Sequence, residues 1–284
     1  MKKKFLIVQL NEVNFDVETS SEEKYENLEP WIQWVSFYTG KDYEDHKVFF
    51  LNELGNEVDT IFKRFDDTFN AKQCLMFPMN LKNNLRNDKN IFIPDPWTET
   101  KIQCDDSLKR FYAIIKKIIL NNKNIKFEIS ELLYLLRYIL LNSSSNFKFS
   151  LLKNISSLII KKYHKAILFD ELISDLFYKK IISEDFDISS IFLNAGAHIQ
   201  HHYMFNSCFV KNKVNPKWYL NSEHDPVKDY IVSYDKILGK FLGLKNYNIL
   251  IMTGLSQSVI KKPLFYYNLN NYDSFFSKLN IYPK

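Results

Sequence analysis

The fold is decided by the stretch Ile188-Ser-Ser-Ile-Phe-Leu-Asn-Ala-Gly-Ala-His-Ile-Gln-His-His-Tyr203. Its first six residues are typical of a buried strand, and three of the chain's six histidines follow shortly after. His198 and His202 are spaced i, i+4, so one helical turn places both imidazoles on the same face. Ligands usually bind at the carboxyl ends of strands in an α/β sheet. The stretch therefore predicts a metal or anion site, and the alternative is an exposed polar turn with a surface histidine pair.

Further apolar runs along the chain alternate with amphipathic helices. Such an alternation is typical of an α/β domain with parallel strands. We predict one domain over residues 1–284, built as a three-layer α/β/α sandwich with a mainly parallel central sheet. A helical insertion is expected at about 107–182, where aliphatic residues recur at helical spacing. The predicted strands outside the opening stretch are Phe5–Leu10, Ile91–Ile93 and Asn248–Met252, and the predicted helices outside the insertion are Pro30–Tyr38 and Asp229–Leu242.

Composition excludes several classes of function. The chain has 6 Gly, and no subset of them forms a dinucleotide GxGxxG or a phosphate-binding P-loop. The formal net charge of +5 comes from short lysine pairs spread along the sequence, which we interpret as solvated faces with weak attraction to anionic partners. Nucleic-acid binding is disfavoured because no RRM, KH or zinc-finger pattern accompanies the lysines.

The cysteines and apolar runs predict the compartment. The 3 Cys include no CxxC pair, which favours a reducing cytoplasm over a disulfide framework or a structural zinc site. No membrane span is expected, because the most apolar helical run, Leu132–Leu141, is interrupted by Arg137 and is shorter than the ~20 residues that cross a bilayer.

Polar side chains follow several of the predicted strands. Loops at one edge of a parallel sheet can converge on one pocket although they are distant in sequence. Imidazole nitrogens together with carboxylate oxygens are ligands for zinc or manganese, and such an ion would polarise a phosphoryl or sulfuryl oxygen. The candidate metal ligands are Asn11, Glu12, His198 and His202. The candidate substrate-binding residues are Glu29, Gln33, Asp95, Gln200, His201 and Gln257.

The order of these motifs resembles the alkaline phosphatase superfamily, especially its type I phosphodiesterase and nucleotide pyrophosphatase branch. In that branch a metal-binding Asp-Gly ends the first strand and a Phe-Asp pair often follows; the matching segment here is Leu10-Asn-Glu-Val-Asn-Phe-Asp-Val17. A second match is Trp34-Val-Ser36 with Thr39-Gly40 and His46. A third is Ala197-His-Ile-Gln-His-His-Tyr203, which places His198 and His202 at the family's Asp and His positions.

The resemblance implies a metal-dependent hydrolase or transferase acting on a phosphate or sulfate ester, for example on a surface carbohydrate. Three departures keep an alternative open. Glu29 and Pro30 occupy the place of the nucleophilic Thr or Ser, Thr253-Gly-Leu-Ser-Gln257 replaces Ser-Asp-His-Gly after the last strand, and the chain stops soon after Leu279. The alternative is a shortened, catalytically inactive scaffold that binds a carbohydrate, a phosphorylated ligand or a protein partner. A basic nucleic-acid-binding protein is the third and least favoured hypothesis.

Overall fold

A five-stranded sheet lies at the centre of the chain. The fold is known from a computed structural model that describes residues 4–13, 29–55, 58–120, 128–210, 215–257 and 271–281, without the side chains of residues 154–160 and 273. The strands are β1 (Lys4–Leu10), β2 (Gln73–Met76), β3 (Ile91–Ile93), β4 (Ile188–Leu193) and β5 (Tyr247–Thr253). They lie in the order β3-β2-β4-β1-β5, and every neighbouring pair is parallel.

Helices surround the sheet and form the predicted three-layer α/β/α architecture, which is confirmed. Four of the five strands were predicted, with ends within about one residue of the observed ones. The exception is β2, whose four residues Gln-Cys-Leu-Met contain no β-branched or aromatic side chain. The helices are α1 (Pro30–Thr39), α2 (Tyr43–His46), α3 (Ile61–Phe69), α4 (Asp106–Leu120), α5 (Ile129–Asn142), α6 (Ser145–Ile160), α7 (His164–Ser183), α8 (Ala195–Tyr203), α9 (Pro226–Leu242) and α10 (Tyr272–Lys278).

Two helix boundaries follow from local chemistry. Helix α1 begins at Pro30 and ends at Gly40, which adopts the left-handed conformation with φ of 65° that glycine tolerates. Helix α9 begins at Pro226, three residues before the predicted Asp229. The carboxylate of Asp225 accepts a hydrogen bond from the backbone N–H of Lys228, and the proline suits the first helical position.

Helices α4–α7 occupy the region where the insertion was predicted, between β3 and β4. The last of them, α7, packs against β4, α8 and α9 and so covers the sheet itself. That the region is an insertion within a single domain of residues 1–284 stays a prediction. In the part of the chain that the structure describes, no helix combines the length and the apolarity needed to cross a bilayer.

A series of hydrogen-bonded polar side chains lies in the core between α1 and the sheet. The hydroxyl of Tyr38 donates to Oε1 of Gln9 at 2.7 Å, and Nε2 of Gln9 donates to the Ser190 hydroxyl at 2.9 Å. Tyr38 and Gln9 are fully buried and Ser190 almost so. Because buried polar groups are costly unless paired, these bonds fix the position of α1 over β1 and β4.

The topology brings three strand ends together. Strand β1 lies between β4 and β5, two strands that come much later in the sequence, so the loops after all three leave the same edge of the sheet. The backbone N–H of Asn11 donates to the carbonyl of Leu193, which extends the pairing of β1 with β4 by one residue. The chain then turns at Glu12, whose φ of 52° lies in the left-handed region.

Candidate functional site

The carboxylate of Glu12 is the centre of the site at this edge. Its side chain is only 6% exposed, and its Oε2 lies 3.0 Å from Nε2 of His201. Nε2 of Gln257, from the loop after β5, donates to the same oxygen. Nε2 of Gln200 donates to the backbone carbonyl of Glu12. Residues from the ends of β1 and β5 and from helix α8 therefore meet at one carboxylate.

His201 is the hydrogen-bonded partner of Glu12. The hydrogen bond to the Glu12 carboxylate raises the pKa of this imidazole above its ordinary value of 6.5, partial burial opposes the rise, and the charge of Glu29 adds to it. The His201 side chain is 59% exposed, whereas that of Glu12 is buried. The pair thus places an accessible imidazole over a buried carboxylate. Because Nε2 faces Glu12, Nδ1 is the ring nitrogen that can face a ligand.

The first turn of α8 is closed by side chains from α7 and α9. The backbone N–H of Ala195 donates to Oδ2 of Asp170 at 2.7 Å, and the hydroxyl of Tyr234 donates to the same oxygen at 2.7 Å. The backbone N–H of Gly196 donates to the Tyr234 hydroxyl at 3.0 Å. Burial raises the pKa of Asp170 to about 7, although these hydrogen bonds act in the opposite direction. The N-terminus of α8 would otherwise attract an anion, but its first N–H groups are bound by the side chains of Asp170 and Tyr234.

Asn11 is committed to structural hydrogen bonds. Its Oδ1 accepts from Nε1 of Trp34 at 2.9 Å, and its Nδ2 donates to Oδ1 of Asn194 at 2.8 Å. Asn11 and Trp34 are both almost fully buried. Asn11 therefore joins α1 to the ends of β1 and β4. Because its side-chain amide makes these hydrogen bonds, it is not available as a metal ligand beside Glu12.

His198 and His202 pair with each other. Their ring centroids are 4.7 Å apart, on the exposed face of α8. Partial burial and the neighbouring imidazoles lower the pKa of His198, and partial burial and His201 lower that of His202. In the described part of the chain, neither ring makes a hydrogen bond or ion pair with Glu12. The sequence thus identified the correct helix, but the imidazole that faces Glu12 is His201.

The donor set does not fit the predicted divalent metal. Zinc and manganese sites in proteins use three or more protein ligands. Among the residues that the structure describes, no group of three or more His, Cys, Asp or Glu side chains is arranged to hold an ion. Glu12 and His201 supply two donors that already bind each other, and Asn11 is engaged elsewhere. We therefore assign no step of the chemistry to a metal.

The other predicted substrate-binding residues lie at different distances from the pair. Glu29 is exposed just before α1 and acts electrostatically on His201. Gln33 lies one turn further along, and a Cβ placed on Gly254 would come within 2.9 Å of its Oε1. This Oε1 is buried and has no hydrogen-bond partner among the described residues. Gln33 therefore borders the loop after β5.

Asp95 lies apart from the site. It follows β3, three strand positions from β1 and so roughly 14 Å away at ~4.8 Å per strand. Its carboxylate accepts from the backbone N–H of Asn80 at 3.0 Å and from that of Trp97 at 2.9 Å, and from the Thr98 hydroxyl. Asp95 is 2% exposed, so its carboxylate organises the loop.

A serine–histidine pair elsewhere has the wrong proton arrangement for nucleophilic catalysis. Ser36 Oγ lies 3.0 Å from Nε2 of His46. Nδ1 of His46, however, accepts a hydrogen bond from the backbone N–H of Val48 at 3.0 Å. In the neutral ring Nε2 therefore carries the proton and donates to Ser36, so it cannot take a proton from the serine. The pair joins the end of α2 to α1.

Comparison with known proteins found no family model, no curated protein and no solved structure that matches this chain. The resemblance to the alkaline phosphatase superfamily therefore stays a prediction from the motifs. Part of its first motif, residues 14–17, lies outside the described residues.

Sequence reasoning missed the residues that support α8. Asp170 lies in the predicted helical insertion and Tyr234 in the predicted helix Asp229–Leu242. Neither of them, nor Asn194, was among the candidate site residues. A signal for Asp170 is present in α7, where it shares a face with the buried Ile167, Ser174, Phe177 and Ile181 at helical spacing. A carboxylate on a buried face needs hydrogen-bond partners, and here these partners are the first turn of α8 and Tyr234.

Proposed function

We propose that this chain hydrolyses or transfers a phosphate or sulfate ester, such as an ester group on a surface carbohydrate, with His201 as its acid–base group. The observation that carries the proposal is the hydrogen-bonded pair of buried Glu12 and exposed His201, just after the carboxyl end of strand β1. Ligands of parallel α/β sheets bind at this edge. A half-exposed imidazole with a raised pKa is suited to proton transfer near neutral pH.

Each residue of the site has a distinct role in this proposal. Glu12 orients the ring and stabilises its protonated form through Nε2, so Nδ1–H can donate to an ester oxygen that develops negative charge. Water or an acceptor hydroxyl attacks the phosphorus or sulfur directly as the bond to that ester oxygen breaks. The leaving alcohol takes the proton from Nδ1, and the proton that the nucleophile loses restores it. Gln257 holds the Glu12 carboxylate in place, and Gln200 holds the backbone of Glu12.

The test uses aryl phosphate, aryl phosphodiester and aryl sulfate substrates with the purified chain. His201→Gln should lower kcat/KM about a hundredfold or more, the range of a lost acid–base group. His202→Gln is the matched control on the same exposed helix face, and it should retain activity within a few fold. A loss in His198→Gln or His202→Gln that zinc or manganese restores would refute acid–base chemistry at His201 in favour of a metal site. Absence of turnover for all three substrate classes would refute the enzymatic proposal.

A catalytically inactive binding scaffold is the second candidate. It is favoured by the committed amide of Asn11 and by the orientation of the Ser36–His46 pair, since neither supplies a ligand or a nucleophile. In this case the exposed imidazolium of His201 would bind an anionic group of a phosphorylated or sulfated ligand without turnover. Calorimetric titration with phenyl phosphate would then give binding that His201→Gln weakens and His202→Gln leaves unchanged.

A further inference from the structure

Helix α5 exposes a continuous apolar stripe. Its members recur at helical spacing, and between 49% and 78% of each residue is exposed. From first to last they span twelve residues, or about 16 Å along the helix. Exposed apolar surface that is contiguous, unlike single exposed residues, marks an interaction site. The stripe consists of Ile129, Leu132, Leu133, Leu136 and Leu140.

The stripe faces outward because the opposite side of α5 is firmly packed. Leu135 and Tyr138 are buried, and the ring of Tyr138 stacks on that of Phe111 in α4 with centroids 4.5 Å apart. The ammonium of Lys117 lies 2.7 Å from the carboxylate of Glu131. The Glu131 carboxylate also accepts a hydrogen bond from the backbone N–H of Glu128 at 3.2 Å, which fixes the start of the helix. The exposed leucines are therefore presented by a well-anchored helix.

The segment of chain around the stripe carries a net positive charge, whereas the rest of the chain is net negative. Residues 107–165 contain twelve lysines and arginines and two acidic residues. The whole chain has 38 basic and 33 acidic residues. The remainder therefore has 26 basic and 31 acidic residues and is acidic overall. The charge is therefore concentrated in this segment, and not spread evenly as the short lysine pairs predicted. Helix α6 adds exposed Phe149 and Leu152 beside exposed Lys153.

We propose that the leucine stripe of α5 docks on the surface of a membrane that contains anionic lipids. Apolar side chains beside a concentration of lysine are what a helix needs to lie in the interface of such a membrane, since each basic residue close to the surface adds attraction to the anionic headgroups. Docking of a second copy of the chain is disfavoured because it would bring two strongly basic segments together. The α5 helix lies flat on the membrane in this arrangement, with its leucines in the headgroup region.

Vesicle flotation tests the proposal with the full chain. The chain should float with phosphatidylcholine vesicles that contain phosphatidylglycerol, and much less with phosphatidylcholine alone. Raising the salt concentration should reduce flotation, because it screens the lysines. Combined Leu133→Ser, Leu136→Ser and Leu140→Ser substitutions should weaken partitioning roughly tenfold or more, by loss of apolar burial in the interface. Combined Lys109→Gln, Lys153→Gln and Lys162→Gln should weaken it by about a hundredfold, at about fivefold per lysine.

A matched control replaces exposed apolar residues outside the segment. Ile231→Ser, Val232→Ser and Leu242→Ser in α9 also remove three exposed aliphatic side chains, and this variant should float like the unmodified chain. Circular dichroism checks that each variant is folded. The salt dependence is measured on the unmodified chain, so it tests the proposal without any substitution. Equal flotation with neutral and anionic vesicles, or wild-type flotation of the leucine variant, would overturn the proposal. So would a dimer in light scattering that the leucine variant converts to a monomer.

Discussion

The indole Nε1 of Trp34 donates a hydrogen bond to Oδ1 of Asn11 across 2.9 Å, and this contact joins helix α1 to the end of strand β1. Both residues are almost completely shielded from water. The Asn11 amide also binds Asn194 after β4, so one side chain holds three parts of the fold together. The Glu12 carboxylate follows directly in the chain, and its position depends on this junction.

Trp34→Phe should destabilise the protein by about 1–3 kcal/mol, because the buried Oδ1 of Asn11 loses its donor. Chemical denaturation measures the free energy of unfolding. Trp97→Phe is the control, since this residue is 42% exposed and its hydrogen bonds to described residues are made by its backbone groups. Equal destabilisation by the two substitutions would show that the hydrogen bond contributes nothing specific.

Glu12→Gln should lower the pKa of His201, because the carboxylate raises it through the hydrogen bond and the charge. The titration of the imidazole resonances by NMR measures the change. Since the folded pKa lies above 6.5, the pair stabilises the fold most below that pH, and this stabilisation is lost as the pH rises through the folded pKa. Glu223→Gln, an exposed acid far along the chain, should leave the titration unchanged. An unchanged His201 titration in Glu12→Gln would contradict the pairing.

Asp170→Asn should flatten the pH dependence of stability between about pH 4 and pH 7. Burial raises the pKa of Asp170 from 3.8 to about 7, so the folded protein holds a proton that the unfolded chain releases. Stability from this group is therefore complete below pH 3.8 and falls as the pH rises toward 7, by at most about 1.4 kcal/mol per pH unit. Thermal unfolding across this range measures the slope. Asp235→Asn, at an exposed position of α9, should keep the wild-type slope.

Gly196 lies in the first turn of α8. Gly196→Ala should destabilise the protein by about 1–3 kcal/mol, because the new Cβ would lie 2.7 Å from a methyl group of Val13. The same shift should disturb the His201–Glu12 pair and lower the pKa of His201. Gly239→Ala is the matched control, since this glycine also lies in a helix and no atom lies within 4 Å of the place that its new Cβ would take. It should stabilise the protein by about 0.5–1 kcal/mol. Thermal unfolding of both variants measures the difference, and equal melting temperatures would contradict it.

The sequence predicted most of the sheet because its strands are buried and rich in branched residues. Strand β2 was not predictable in this way, because Gln73-Cys-Leu-Met has no alternating pattern and its pairing depends on distant β3 and β4. For the site, the periodicity of α8 showed which histidines share a face, but not which face meets Glu12. That rotation depends on where α8 begins, which Asp170 and Tyr234 fix from two other helices.

The left-handed backbone at Glu12 limits which substitutions at this position can stabilise the protein without loss of the site. A residue with a side chain costs about 1 kcal/mol or more in that conformation, and glycine would adopt it freely. Glycine would also delete the carboxylate that His201, Gln257 and the turn are arranged around. Glycine at position 12 would therefore relieve the backbone strain but remove the partner of His201, whereas glutamate keeps this partner and retains the strain.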